Sequence, residues 1–352
     1  MILDDLAMYD SSFMKVYDNW YDYSLSANAQ SENITDDLKI RKRAYSSIVF
    51  AGMGGSATVG DIACSVLKMS SRVVRGSTLP ESVDKNSLVI ASSVSGNTYE
   101  TIEIVRECVR KKIDTIVLSA GGALETLAKK EGLSHINIQN LGAPRLSLPC
   151  LVYPVMNILR VFEYGMEEQI ASSLETLRSL SHSARSSSPT SVNIAKKIAL
   201  FIGCTLPICY YNSDLRAAGI RFRNSLNENA KTHAISEDVE EACHNSIVPF
   251  SDKQSSECSV VLLRSQKERN SVSSRFRIVK NFLETKGIPV LELKGEGNTL
   301  LASIMGLVYL LDYSTVYLSL LNGHDPNATA AIDYVKSAIK EQLQTDFGDK
   351  SD

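Results

Sequence analysis

The chain has 352 residues, of which 44% are apolar and 22% charged, with a formal net charge of −3. This is the make-up of a soluble globular protein of about two domains, and it lacks the basic stripe that nucleic acid requires. Seven cysteines, odd in number and without a C-x-x-C pair, point to a reduced, cytoplasmic setting rather than a disulfide framework or a zinc cage.

The opening MILDDLAMYD is acidic and has no apolar core, so it does not read as a signal peptide. Residues 1–45 are taken as an N-terminal helical segment. From Ser46 strand and helix patterns alternate. SSIVFAG is a short apolar run ending in glycine, and ATVGDIACSVLKM follows with helical spacing. RVVR, SLVIASS and DTIVLSAGG are further strand candidates, while TYETIEIVRECVRKK places Ile102, Val105 and Val109 on one helical face. Continuous apolar strands separated by helices predict a parallel sheet covered on both faces.

The serine-rich SHSARSSSPT, residues 181–190, reads as a linker. Beyond it KIALFIG, PICYYN, CSVVLLRS and IPVLELKG are read as strands. SVSSRFRIVKNFLETKG is read as a helix with Val272, Phe276, Val279 and Leu283 inward. Leu300–Leu321 is long enough to span a bilayer, and Asp312 is its only formal charge. Its several hydroxyl side chains and missing basic anchors favour a helix buried in a large core or an interface over a membrane span. The expected fold is therefore α/β, with two doubly wound parallel-sheet subdomains at 46–180 and 191–352. The ligand is expected where the halves meet, at the carboxyl ends of strands.

Two turns carry the chemistry of anion binding. AGMGGSATVG (51–60) and SSVSGNT (92–98) each follow a strand and open a helix. Glycines let backbone approach a ligand closely, and a helix start offers unpaired N–H groups at the positive dipole end. Gly54, Gly55, Ser56, Ser93, Ser95 and Thr98 are the candidate phosphate contacts. A strand–helix turn with no ligand is the plain alternative for each turn alone. Gly52-Met53-Gly54-Gly55 also imitates a dinucleotide fingerprint, with Ala57 in the third small position, but the next strand runs into VVRGSTLP with no acidic residue for a ribose. Two hydroxyl-rich turns in one half favour a phosphosugar.

GMGGSA followed by SVSGNTYET resembles the sugar isomerase (SIS) superfamily. With GAPRLSLP (142–149), NSLNENAKTHAISEDVEEACHNSIVPF (224–250) and NATAAIDYVK (327–336), the chain is similar to the archaeal-type bifunctional phosphoglucose/phosphomannose isomerases from about Ser46 to Lys336. It departs from them at Val94, where the family usually has an aromatic residue, and at Ser246, where an acidic residue is common.

The resemblance implies aldose–ketose isomerisation of a sugar phosphate through an enediolate, with neither metal nor cofactor. It implies Glu228 as the proton-shuttling base, although spacing alone would read that residue as a helix-surface partner of Lys231. Arg145, otherwise a solvated loop arginine, would stabilise the enediolate. His244 would open the sugar ring, an act suited to a group titrating near neutrality, with Lys336 as its partner on the ring oxygen. In the family this histidine comes from the neighbouring subunit, which implies a homodimer with shared sites. Thr329 would leave space near C2 and C3 for both epimers, or cap the final helix, or do both. His135, His182, His233 and His324 receive a structural reading. A phosphosugar-binding regulator that would not need Glu228, Arg145, His244 and Lys336 together, or an isomerase of another phosphosugar, are the rival readings.

Overall fold

The computed structural model describes residues 4, 12–34, 38, 44–251 and 257–348. The chain begins with α1 (Ser12–Asp18) and α2 (Trp20–Ser31), then enters the first sheet through β1 (Ser47–Ala51). There follow α3 (Gly54–Val66), β2 (Ser71–Val74), β3 (Ser87–Ser93), α4 (Tyr99–Lys111), β4 (Asp114–Ser119), α5 (Gly122–Glu131) and β5 (Ser134–Asn137). These strands are all parallel, in the order β2-β1-β3-β4-β5. Every residue of β3 is buried, as expected of a central strand with helices on both faces.

Helices α6 (Leu148–Leu159), α7 (Met166–Ala184) and α8 (Ile194–Ile202) lead to the second sheet. It is built from β6 (Leu206–Tyr211), α9 (Arg216–Glu228), β7 (Ile235–Asp238), α10 (Val239–Ala242), β8 (Cys258–Arg264), α11 (Asn270–Thr285) and β9 (Val290–Lys294). Its order is β7-β6-β8-β9, again parallel. Helices α12 (Leu300–Leu321) and α13 (Ala330–Gly348) complete the chain.

The period-two alternation of the strands divides the interior into three clusters. Val49, Val89 and Val117 of the first sheet face α4 and α5. Ile208, Tyr210, Val260 and Leu262 of the second face α10 and α11. The opposite faces, with Ile48, Phe50, Leu88 and Ile90 from one sheet and Cys209, Tyr211, Val261 and Leu263 from the other, share one large core. Between them lies a helical layer whose centre is α12. This helix packs on α3, α7, α8 and α9 and is buried from Leu301 to Leu320. Its all-round apolarity is thus that of a core helix, as expected.

Three local readings need adjustment. KIALFIG, read as a strand, lies in α8 and the glycine that ends it. Asn193 caps that helix by accepting from Lys196 N, and Ala195, Ile198, Ala199 and Ile202 are buried at helical spacing. The apolar run alone is too short to separate the two periods; the cap one turn earlier decides it. In α4 the buried stripe is Thr101, Ile104, Val105 and Cys108. Ile102 and Val109 flank it half-buried. Ser181–Ala184 form the last turn of α7, and the non-helical connection runs from 185 to 193.

Helix α3 lies unusually close to β1, and Gly60 is the reason. A side-chain carbon at Gly60 would fall 2.6 Å from Phe50 Cβ and 3.0 Å from Val73 Cγ2. Gly60→Ala is expected to destabilise the protein by about 1–3 kcal/mol, the usual cost of overpacking. Urea unfolding measures this, and a variant as stable as the parent would show that α3 can lift away freely.

Candidate active site

The order β2-β1-β3 makes the β1/β3 boundary the switch point of the first sheet, where a crevice opens beyond the strand ends. Both hydroxyl turns leave from it. They touch: a side-chain carbon on Gly52 would lie 3.0 Å from Ser92 O and 3.1 Å from Ser56 Cβ, and Ser92 Oγ donates to Ser56 O at 3.3 Å. Gly54 has φ +52°, and neither α3 nor α4 carries a side-chain cap, which leaves the helix starts to an anion. Ser93 and Thr98 hydroxyls are 2.8 Å apart, and Asn97 N donates to Ser95 Oγ at 3.2 Å. Ser56 and Ser93 are buried, Gly55 and Thr98 half-buried, and Gly54 and Ser95 exposed.

The second turn is gripped from behind by residues 119–124. Ala120 N donates to Val94 O at 3.1 Å, Leu124 N to Gly96 O at 2.9 Å and Ala123 N to Asn97 Oδ1 at 3.0 Å. Gly96, at φ +66°, has no room for a side chain because Gly121 O occupies that space. Ser119 holds this clasp: its hydroxyl donates to Gly121 O at 2.9 Å and lies 2.8 Å from His135 Nε2. His135 is thus a brace for the turn.

The other half delivers its carboxylate to the same place. Glu228, half-buried at the end of α9, places Oε2 3.6 Å from Arg145 Nη1. Arg145 is buried, with Nε donating to Asn229 Oδ1 at 2.8 Å and Nη2 donating to Pro326 O at 2.7 Å and Asn327 O at 3.3 Å. Two nitrogens are therefore committed to neutral acceptors, and Nη1 faces Glu228. Its ring-stacking partner is Phe13, 4.9 Å from the guanidinium carbon. Burial pulls the Arg145 pKa below its ordinary value, and the Glu228 charge opposes that shift. The link back to the turns runs through Gly55, where a side-chain carbon would lie 3.3 Å from Pro144 O and 3.6 Å from Arg145 Cα.

Lys231 does not pair with the Glu228 side chain. It adopts φ +55°, a conformation costly for a residue with a Cβ. Its ammonium donates to Glu228 O at 2.7 Å, Asn229 O at 3.3 Å and Asp325 O at 2.9 Å. Lys231 and Arg145 together hold the 325–327 loop against the end of α9. Asn229 is buried between Arg145 and Thr315, donating to Thr315 Oγ1 at 2.9 Å.

Among the described residues no hydrogen bond or ion pair ties His244 or Lys336 to Glu228 or Arg145, whereas Thr329 lies two residues beyond the Asn327 carbonyl that Arg145 engages. His244 is exposed after α10, and Lys336 is exposed on α13. Thr329 stands at the start of α13, where its carbonyl accepts from Ile332 N and Asp333 N and its hydroxyl donates to Asp333 Oδ2 at 3.3 Å.

The C-terminal half, residues 191–339, matches the family model described as the bacterial phospho-glucose isomerase C-terminal SIS domain. A bifunctional phosphoglucose/phosphomannose isomerase of Aquifex aeolicus (strain VF5) is 32% identical over 316 residues, 88% of this chain and 94% of that protein. The chain belongs to the bifunctional phosphoglucose/phosphomannose isomerase family. A relative of the same description from Caldicellulosiruptor bescii is 28% identical, over 86% of this chain and 92% of its own length. Among solved structures, a hypothetical protein of Thermus thermophilus shares the fold, with a TM-score of 0.74, 14% identity and coverage of 97% of this chain and 92% of that one.

Within this candidate site, the sequence alone assigns no role to Asn229, although it lies inside the NENAK stretch. Spacing marks Lys231 only as a surface partner. Buried Arg221, whose guanidinium donates to Asp312, gave no signal in the sequence, whereas Asp312 stood out as the lone charge in an apolar helix.

The His135 brace carries a pH signature. Burial holds its imidazole below the ordinary 6.5, with Glu125 opposing. The folded chain therefore binds this proton more weakly than the unfolded chain. The associated stability is present above pH 6.5 and is lost as the pH falls from there through the lower folded-state value. The urea midpoint is expected to decline over that window, and less steeply in His135→Gln; parallel declines would remove His135 from the account.

Proposed function

We propose that the chain is an aldose–ketose isomerase that interconverts glucose 6-phosphate and mannose 6-phosphate with fructose 6-phosphate through an enediolate. The observation that carries this reading is the Glu228 carboxylate facing the Arg145 guanidinium beside the first turn of α3. A module that merely held a phosphosugar would need the hydroxyl turns alone.

The roles follow from the chemistry of each group. The turns at 52–56 and 93–98 hold the phosphate, Gly54, Gly55 and Ser56 from one side and Ser93, Ser95 and Thr98 from the other. The sugar then extends from the first half toward α9. Glu228 takes the proton from C2 and returns it at C1; its two oxygens flank both carbons. General-base assistance of this kind contributes about 10²- to 10⁴-fold. The enediolate that forms carries negative charge, and Arg145 Nη1 is a fixed donor 3.6 Å from the base. Preorganised donors of this kind contribute about 3–4 kcal/mol. The reaction moves protons within one molecule and uses no metal or cofactor in this scheme.

His244 and Lys336 open the ring, His244 being supplied by a second copy of the chain in a homodimer. The exposure of His244, and the exposed apolar residues Ile332, Val335 and Ile339 on α13 near Lys336, support such an assembly. Thr329, small and next to Arg145's loop contacts, leaves room for either configuration at C2. Seven free cysteines support a cytoplasmic location.

The test is turnover of fructose 6-phosphate by purified protein in EDTA, with both glucose and mannose 6-phosphates expected. Glucose 6-phosphate alone would remove the Thr329 argument, and no conversion would end the isomerase reading. Shared sites predict a second result. Glu228→Gln and His244→Ala chains are each expected to bind substrate but lose at least about 10² in turnover. Refolded together, they should regain about a quarter of parental activity, because half the dimers would then hold one intact site of two. Mixtures as inactive as the separate chains would show that each site is built from a single copy.

A further inference from the structure

Arg221 lies in the middle of α9, two turns before Glu228, and is 2% exposed. Its guanidinium meets Asp312 of α12 at 2.8–3.1 Å through Nε and Nη2, and the same Nη2 donates to Arg145 O at 2.8 Å. Its Nη1 would lie 3.4 Å from a side-chain carbon on Gly55, so it faces the first turn of α3. Asp312 is fully buried and also accepts from Ser225 Oγ at 2.6 Å and more distantly from Tyr17 OH at 3.5 Å.

A buried ion pair is weak grounds for stability, because well-packed apolar residues of similar volume often do as well. Nor is the pair a charge for the substrate, since Asp312 cancels the guanidinium where it stands. Burial opposes the charge on Arg221, but Asp312, with Tyr17 and Glu228 adding to it, raises its pKa overall. What the pair supplies is placement. One planar fork touches α12, the backbone of Arg145 and the start of α3 at once, while its own helix ends in Glu228. A lysine could reach one of these acceptors but not hold all in one plane.

We propose that Arg221, oriented by Asp312, is a positioning residue for the isomerisation: it sets the spacing between the anion-holding turn of the first half and the Arg145–Glu228 pair. The proposal rests on the isomerase reading above. Its mark is an effect on the chemical step rather than on substrate capture, since Arg221 touches neither the phosphate hydroxyls nor the Glu228 carboxylate directly.

The experiment measures kcat and KM for fructose 6-phosphate in full-length parent, Arg221→Lys and the double variant Arg221→Met/Asp312→Leu, which removes both charges together. Thermal unfolding confirms which variants are folded. Folded variants are expected to lose at least about tenfold in kcat with KM within about twofold, the pattern of an interaction felt in the transition state. Should the double variant fail to fold, Arg221→Lys, which keeps the ion pair, decides alone. A folded variant with parental kcat, rescue of kcat by lysine, or a change confined to KM would overturn the proposal while leaving the isomerase reading intact. An inactive parent would overturn that reading, and this inference with it.

Discussion

A carboxylate sealed inside an apolar helix is the constraint around which the rest is arranged. A carboxylate at full burial needs donors around it, and for Asp312 the structure supplies a bidentate arginine and a serine from α9, with a tyrosine of α1 farther off. Those demands pull α9 against α12 in one rotation and one register. Once α9 is so fixed, its last residue is Glu228 and its neighbour Asn229 meets Arg145. The arginine loop then lies against α3, and α3 against β1. A single electrostatic requirement thus runs from the core to both chemical ends of the site.

The two sheets share a wiring plan but have taken different tasks. In each, the first strand is flanked by the second and third, so each has a switch point. At the first, the turns carry glycines and hydroxyls. At the second, the corresponding turns hold acidic side chains of their own: Asp214 accepts from Asn212 Nδ2 at 3.1 Å, and Glu268 accepts from Ser265 N at 3.0 Å while pairing with Arg264. Carboxylates at these turns place negative charge where an incoming anion would have to sit, which disfavours one there. What the second half brings toward the glycine- and hydroxyl-rich turns is the Glu228 carboxylate, from the far end of α9.

How much of this was legible in the sequence depended on distance along the chain. The hydroxyl turns could be read because glycines, serines and the strand–helix change stand within ten residues of one another. Asp312 was noticeable as a charge among apolar neighbours, but its partner is 91 residues away and no local pattern announces a salt bridge. The same holds for Asn229 and for the carbonyls of 325–327, whose role exists only once α9, α12 and the Arg145 loop are assembled. KIALFIG failed for a different reason: an unbroken apolar run satisfies strand and buried helix alike, and only the Asn193 cap separates them. The roles given to His244 and Lys336 rest on resemblance and not on geometry, since within one chain both are exposed.

The helical layer common to both sheets has a further implication. The inner face of the first sheet is covered by α3 and that of the second by α9, and the outward sides of these two helices are buried against each other and against α12. A chain cut between the halves would leave a wide oily wall on both pieces, so neither repeat can be shed as a spare copy, however redundant its topology looks. Two modules that look interchangeable on a wiring diagram are, as matter, a single indivisible body.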